Sequence, residues 1–167
     1  MTVKDLQDLY DYAYWANKKL VQSISHLTPE QFAQPVAGSY GSVRNTLVHT
    51  LSAEWGWLDR CGGQKRGPRL NPDNYPTVES LVEAWAKVEG FVRDFLFTLN
   101  DEDLARDIEF TIGGPKRSMQ VGHLMQHAAL HGVHHRAQVA LLLRMLGYEP
   151  GNFDVLMYYA DKQGDPA

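Results

Sequence analysis

"HAALHGVHHRAQ", residues 127–138, places four of the chain's seven histidines within nine positions. The stretch holds no proline and runs on into "VALLLRML", so it reads as the middle of one long helix, from Met119 to about Leu146, with Gly147 as its stop. An α-helix turns by about 100° per residue, so steps of four residues drift by only about 40°. On that wheel Leu124, Ala128, Val139, Leu142 and Leu146 share one sector, the core face, and His131 and His135 fall in its middle. His123, His127 and His134 lie toward one edge, while Gly122, Ala129 and Arg136 point the other way. A helix with such a stripe needs other helices to bury it.

The rest of the chain supplies them. Val3 to Leu27 repeats apolar residues at helical spacing with no proline inside. Thr28 then caps a short helix with Pro29 in its first turn. "VAGSYGS" is loop, and Ser42 caps a second long helix, Val43 to about Cys61, which Gly62 and Gly63 end. Residues 62–76, rich in Gly, Pro and Asn, form a long connection. Thr77, with Ser80 nearby, opens a third helix from Val78 to about Leu99 that turns Leu81, Trp85, Val88, Val92, Phe95, Leu96 and Leu99 inward. "DIEFTIGGPKRSM" alternates around Gly113 and Gly114, as either a small hairpin or an irregular crossing. After "GYEPGN" a last short helix spans about Asp154 to Asp161, with Asp154 as its cap. The fold expected is all-α: a four-helix bundle with long connections and a short C-terminal helix, in one domain over residues 1–167.

Composition narrows the function. Apolar residues make up 44% and charged residues 22%, the balance of a globular chain rather than a disordered or fibrous one. No apolar run is long enough to span a bilayer, and "MTVKDLQDLYDYAYW" carries acids where a secretory signal has its apolar core, so a cytoplasmic location and no membrane partner are expected. Lys and Arg number 16 against 20 Asp and Glu and are scattered among them, which leaves no basic stripe for nucleic acid. Cys61 is the only cysteine, so a metal would need histidine or carboxylate ligands. Cys61 itself reads as a structural thiol, and the aromatic set of Tyr10, Tyr12, Tyr14, Trp15, Trp55, Trp57 and Trp85 reads mostly as core.

The pair His131 and His135 is the anomaly. Side chains four apart on a helix stand about 5 to 6 Å apart at Cβ, a spacing from which two imidazoles reach one ion. The pair is open to two readings: core histidines hydrogen-bonded to facing helices, or ligands. The glutamate of H-E-x-x-H is absent, which excludes a zinc protease, and no E-x-x-H builds a di-iron site. No phosphate loop, dinucleotide fingerprint or nucleophile elbow occurs. A third ligand must come from elsewhere. The candidates are His26, His49 and the acids: His26 sits at a helix end, and His49 lies in a row with Ala53 and Trp57 beside the Val43, Leu47, Leu51 and Leu58 stripe.

With these residues in view, the chain resembles the DinB/YfiT-like family of four-helix-bundle metalloproteins over nearly its whole length. "YDYAYWANKKLVQSI" is similar to the family's first helix, "LVHTLSAEWGWL" to its second, and "HAALHGVHHRAQVALLLRMLGYEPGNFD" to its fourth with the turn that follows. Leu130 stands where the family often has Asn and Ala137 where it often has Gly; neither touches a ligand. The resemblance implies that His49, His131 and His135 are the ligands of one divalent transition-metal ion, zinc or nickel. It also implies a metal-dependent S-transferase or related hydrolase, acting on small electrophiles with a low-molecular-weight thiol as cosubstrate. His134, beside the pair, is the candidate for proton transfer. The partners expected are a small-molecule substrate and, in a dimer, a second copy of the chain. The alternative is a non-enzymatic stress-response bundle in which the metal is structural.

Overall fold

The computed structural model describes residues 1–65 and 67–164, so Arg66, within the expected 62–76 connection, lies outside the described residues. Six α-helices and one two-stranded sheet form among them: α1 (Val3–Ile24), α2 (Pro29–Phe32), α3 (Val43–Cys61), α4 (Val78–Thr98), β1 (Asp107–Thr111), β2 (Lys116–Gln120), α5 (Val121–Met145) and α6 (Val155–Gln163). The helix starts are set by side-chain caps, four of them predicted and Thr2 not. Thr2, Thr28, Ser42, Thr77 and Asp154 each accept a backbone N–H of the first turn, and Thr2, Thr28 and Thr77 complete capping boxes with Asp5, Gln31 and Ser80. Gly147, at φ +85°, takes the left-handed conformation just past α5.

Two boundaries differ from expectation. Helix α1 ends at Ile24 rather than Leu27, because the approach to Thr28 and Pro29 disfavours helical backbone. Met119 and Gln120 belong to β2 rather than α5. They pair with Ile108 and Asp107 in the antiparallel hairpin, and the ladder, not a side-chain cap, leads the chain into α5. The crossing between the third and fourth long helices is therefore the hairpin.

Helix α5 packs on α1 and α3, and α4 packs on the same two, so α1 and α3 stand diagonally opposite, as do α4 and α5. Contacts along α5 give the directions. Trp57 meets His127 and His49 meets His135, so α3 and α5 are antiparallel. Tyr10 bonds the Met125 carbonyl and Arg136 bonds Asn17, so α1 and α5 are parallel. Arg93 on α4 pairs with Asp11 near the start of α1, while Val82 and Gln22 line one groove, which makes that pair antiparallel. Helices α3 and α4 must then be parallel, and residues 67–77 return along α3 to make that crossover. The Leu70 N–H bonds Ser52 Oγ at 3.1 Å, and Asp73 pairs with Arg44 at 3.2 Å.

The core is filled by Leu6, Tyr10, Leu20 and Ile24 of α1, Val43, Leu47 and Leu51 of α3, Leu81, Val88 and Val92 of α4, and Leu124, Val139 and Leu143 of α5, all at most 1% exposed. Cys61 is fully buried and burial raises its thiol pKa to about 11, so it packs as a structural residue. Tyr10, Tyr14, Trp57 and Trp85 are buried, and Tyr12, Trp15 and Trp55 are half-buried. Tyr158 of α6 closes against Tyr12 and Trp15 of α1.

The helical wheel for α5 needs one correction. Gly122, Ala129 and Arg136, expected to point away from the core, are all buried, and His131, expected at its centre, is half-buried. The cause is that α5 buries itself against two helices and a loop, so its covered arc is wider than one stripe. A Cβ on Gly122 would lie 2.8 Å from Met1 and 3.3 Å from Leu104. Arg136 enters a polar pocket instead. Its Nη1 donates to Asn17 Oδ1 at 2.9 Å, and it lines a small internal cavity with Glu54, Thr50 and Gly132. Glu54 accepts from Tyr14 Oη at 2.8 Å and from Trp85 Nε1 at 3.0 Å, which joins α1, α3 and α4. Replacing this carboxylate with an apolar group leaves two buried donors unpaired, each costing about 1–3 kcal/mol. Glu54→Leu is therefore expected to lower unfolding free energy by about 3 kcal/mol or more, read by urea denaturation. A loss below about 1 kcal/mol would show that the network is dispensable.

Candidate metal centre

His49 lies in the second turn of α3, whose start is fixed by Ser42 Oγ accepting from the Asn45 N–H at 3.0 Å. Val43, Leu47, Val48 and Leu51 take the core positions, which leaves His49 half-buried on the side facing α5. There it meets His131 and His135, one helical turn apart on α5. His49 Nε2 is 3.4 Å from His131 Nε2, and His131 Nε2 is 3.0 Å from His135 Nε2. One ligand atom from each of the three lies within 4.8 Å of the others, and this is the only group of three or more His, Cys, Asp or Glu so placed among the described residues.

The donor set fits an ion. Zinc binds imidazole at about 2.0–2.1 Å, so two ligands of a tetrahedral ion sit about 3.3 Å apart, close to the two spacings to His131 Nε2. The tautomer fits as well. His135 Nδ1–H donates to Gln138 Oε1 at 2.7 Å, which leaves the Nε2 lone pair facing the other two rings. Gln138 is itself held, accepting from Ser39 Oγ at 2.7 Å and placing its amide nitrogen 2.9 Å from His134 Nε2.

Sequence reading missed three participants. Tyr40, in the loop read only as loop, stacks on His49 at 3.9 Å between centroids and 18° between planes, with its hydroxyl 2.9 Å from His49 Nε2. The loop reaches this pose through positive φ at Gly38, Ser39 and Gly41; Ser39 at +48° is the one non-glycine residue there, tied down by Thr46 and Gln138. The repeated glycines were the available signal. Gln138 follows His135 by three residues and so reaches back along the helix to it. His127, placed at the edge of the wheel, meets Trp57 edge to face and lines a cavity of about 430 Å³ together with His49, His131, Ala53 and Trp57. His134 is exposed, does not line that cavity, and holds to Gln138. His123 and His26 are exposed and apart from the group, His26 against Tyr148.

The chain belongs to a class of helical bundles that gather imidazoles from two facing helices. The family model described as the DinB family matches residues 1–165, and the chain is a member of that family. It is 23% identical over 160 residues to the protein DinB of Bacillus subtilis (strain 168), covering 90% of this chain and 91% of that one. Its fold is similar to the crystal structure of a DinB-like protein from Bacillus cereus ATCC 10987, with a TM-score of 0.72 at 21% identity, covering 90% of this chain and 97% of that one. A conserved protein from Enterococcus faecalis gives a TM-score of 0.65 at 13% identity, covering 83% and 94%.

Burial, followed by the neighbouring imidazoles of His135 and His49, holds His131 down from 6.5 to about 4. His135 is lowered too, by burial, against the opposing effect of its Gln138 bond. Between about 4 and 6.5 the unfolded chain therefore binds a proton at His131 that the native chain does not, so stability falls as pH drops through that window. Urea unfolding of the metal-free protein at pH 7, 5.5 and 4.5 should show this loss, and His131→Gln should show less of it. Identical pH profiles for the two proteins would contradict the assignment.

Proposed function

We propose that His49, His131 and His135 hold one divalent ion, zinc or nickel, and that the chain is an enzyme that joins a low-molecular-weight thiol to a small electrophile or hydrolyses a related compound. The observation that carries this is the convergence of three imidazole Nε2 atoms beside a cavity of about 430 Å³. Three protein ligands with further positions open is the pattern of catalytic zinc, whereas structural zinc closes all four. When bound, such an ion lowers the pKa of a coordinated water or thiol and so supplies a nucleophile at neutral pH.

The chain's own residues supply the rest. Gln138 fixes the His135 tautomer, Tyr40 covers His49 from outside, and Trp57 and Ile112 give the cavity apolar walls that limit water. Sequence reading gave proton transfer to His134; the cavity favours His127, which lines it, with His134 at the solvent edge of the group. A structural ion in a stress-response bundle is the weaker reading, because Leu47, Leu51, Leu124, Val139 and Leu143 close the core without it. The partner proposed is a small molecule rather than nucleic acid, given 20 acids to 16 bases. No helix among the described residues is long and apolar enough to cross a membrane, and we place the chain in the cytoplasm, alone or as a homodimer.

Alanine at His49, His131 or His135 should each lower metal content sharply by elemental analysis, while His123→Ala retains it. Chelation should leave the helical circular dichroism intact with a modest fall in melting temperature, since an ion bound only to the native state stabilises it by mass action. Thiols should shift the visible spectrum of cobalt-loaded protein, more at higher pH as thiolate becomes available. Unfolding on chelation, with a cobalt spectrum indifferent to every thiol, would leave the structural reading standing.

A further inference from the structure

The cavity beside the three histidines has a one-sided charge. Its lining carries His49, His127 and His131 with two arginines, Arg60 and Arg69, and no carboxylate, in a chain whose acids outnumber its bases. Both arginines are set by backbone features. Arg60 is one turn beyond Trp57 on the His49, Ala53, Trp57 face of α3. It folds back toward the cavity, donating from Nη1 to the Gly56 carbonyl at 2.8 Å, with its guanidinium 5.0 Å from the Trp57 ring. Arg69 arrives on the returning connection, beside the Leu70 to Ser52 bond that pins this segment to α3. It is exposed and makes no ion pair among the described residues.

We propose that this cavity is an anion subsite, in which Arg60 and Arg69 take a carboxylate or phosphate group of the same small molecule whose other end reaches the three histidines. The assignment rests on the metal-dependent thiol reading for that other end only. Guanidinium groups match carboxylate and phosphate oxygens in pairs, and a cavity without carboxylates offers such an anion no repulsion. The helix sets the length. Gly56, which holds Arg60, lies seven residues past His49, so at about 1.5 Å per residue the anion stands on the order of 10 Å from the imidazole nitrogens. That is the reach of a dipeptide-sized thiol with a terminal carboxylate, not of a two-carbon thiol.

The test uses N-acetyl-cysteinylglycine and its C-terminal amide, which share one thiol and differ in one negative charge, titrated calorimetrically into cobalt-loaded protein at low salt. The acid should bind about tenfold tighter than the amide. Arg69→Gln should remove most of that preference and leave the amide unaffected; because Arg69 is exposed, this variant keeps the fold, and Arg60→Gln serves as the second. N-acetyl-alanylglycine, which has no thiol, should bind weakly but still lose affinity in Arg69→Gln. Inorganic phosphate and acetate as competitors distinguish a phosphate from a carboxylate preference, and either supports the subsite. Equal affinity of acid and amide, or a preference that survives both substitutions, overturns it. The cobalt spectrum separates the two readings. An arginine-dependent preference with no spectral response to the thiol keeps the anion subsite and removes the thiol reading, whereas a spectral response to the thiol with equal affinity for acid and amide does the reverse.

Discussion

The rotation of α5 about its own axis decides what this bundle can present, and a buried polar contact fixes it. Arg136 is 2% exposed and reaches Asn17 on α1, while Glu54, 9% exposed, gathers Tyr14 and Trp85 from α1 and α4 close by. Burial raises the carboxyl pKa of Glu54, opposed by its two donors and by the charge of Arg136. Apolar packing alone tolerates rotation and sliding of a helix, because one leucine replaces another at little cost. A guanidinium that must find its acceptor does not. With Arg136 pinned inward, the preceding residue lies about 100° around the helix, which turns His135, and His131 one turn before it, toward α3.

That same pinning explains where the sequence could be read and where it could not. Caps and stops are local chemistry, so Ser42, Thr77, Asp154 and Gly147 marked their helix ends correctly from a few residues each. The side of α5 that is buried is not local. A hydrophobic wheel assigns charge to solvent, and nothing near Arg136 in the chain announces that Glu54 and Asn17 will surround it. The start of α5 was misplaced for a related reason: Met119 and Gln120 fit a helix until β1 offers a ladder. In the site, His131 and His135 were visible from their spacing, and His49, one of several candidates for the third ligand, was singled out only by family resemblance. Tyr40 and Arg69 depend on loops whose paths no periodicity encodes, while Gln138 stands on α5 three residues after His135, within reach along the helix.

Division of labour follows from this arrangement. Two helices carry the imidazoles, held by a packed core. Part of the wall that would meet a ligand comes from outside these helices, from Arg69 on the returning connection and from Thr111, Ile112 and Gly113 at the β1–β2 tip. Loop sequence can therefore change what fits the cavity while the spacing of the three nitrogens stays as the helices set it.

The parallel course of α1 and α5 has a consequence for how the chain assembles. Neighbours in space, they are separated by the whole of α3 and α4 in the chain, so the α1 to α5 face cannot close until α5 has left the ribosome. Until then α1 and α3 each lack their largest partner, and their apolar flanks at Leu6, Tyr10, Leu47 and Leu51 stay partly open. The imidazole cluster spans α3 and α5, so it too exists only once synthesis has passed His135. A nascent chain that stops before α5 offers only His49 of the three, too few to gather the cluster before the core has formed.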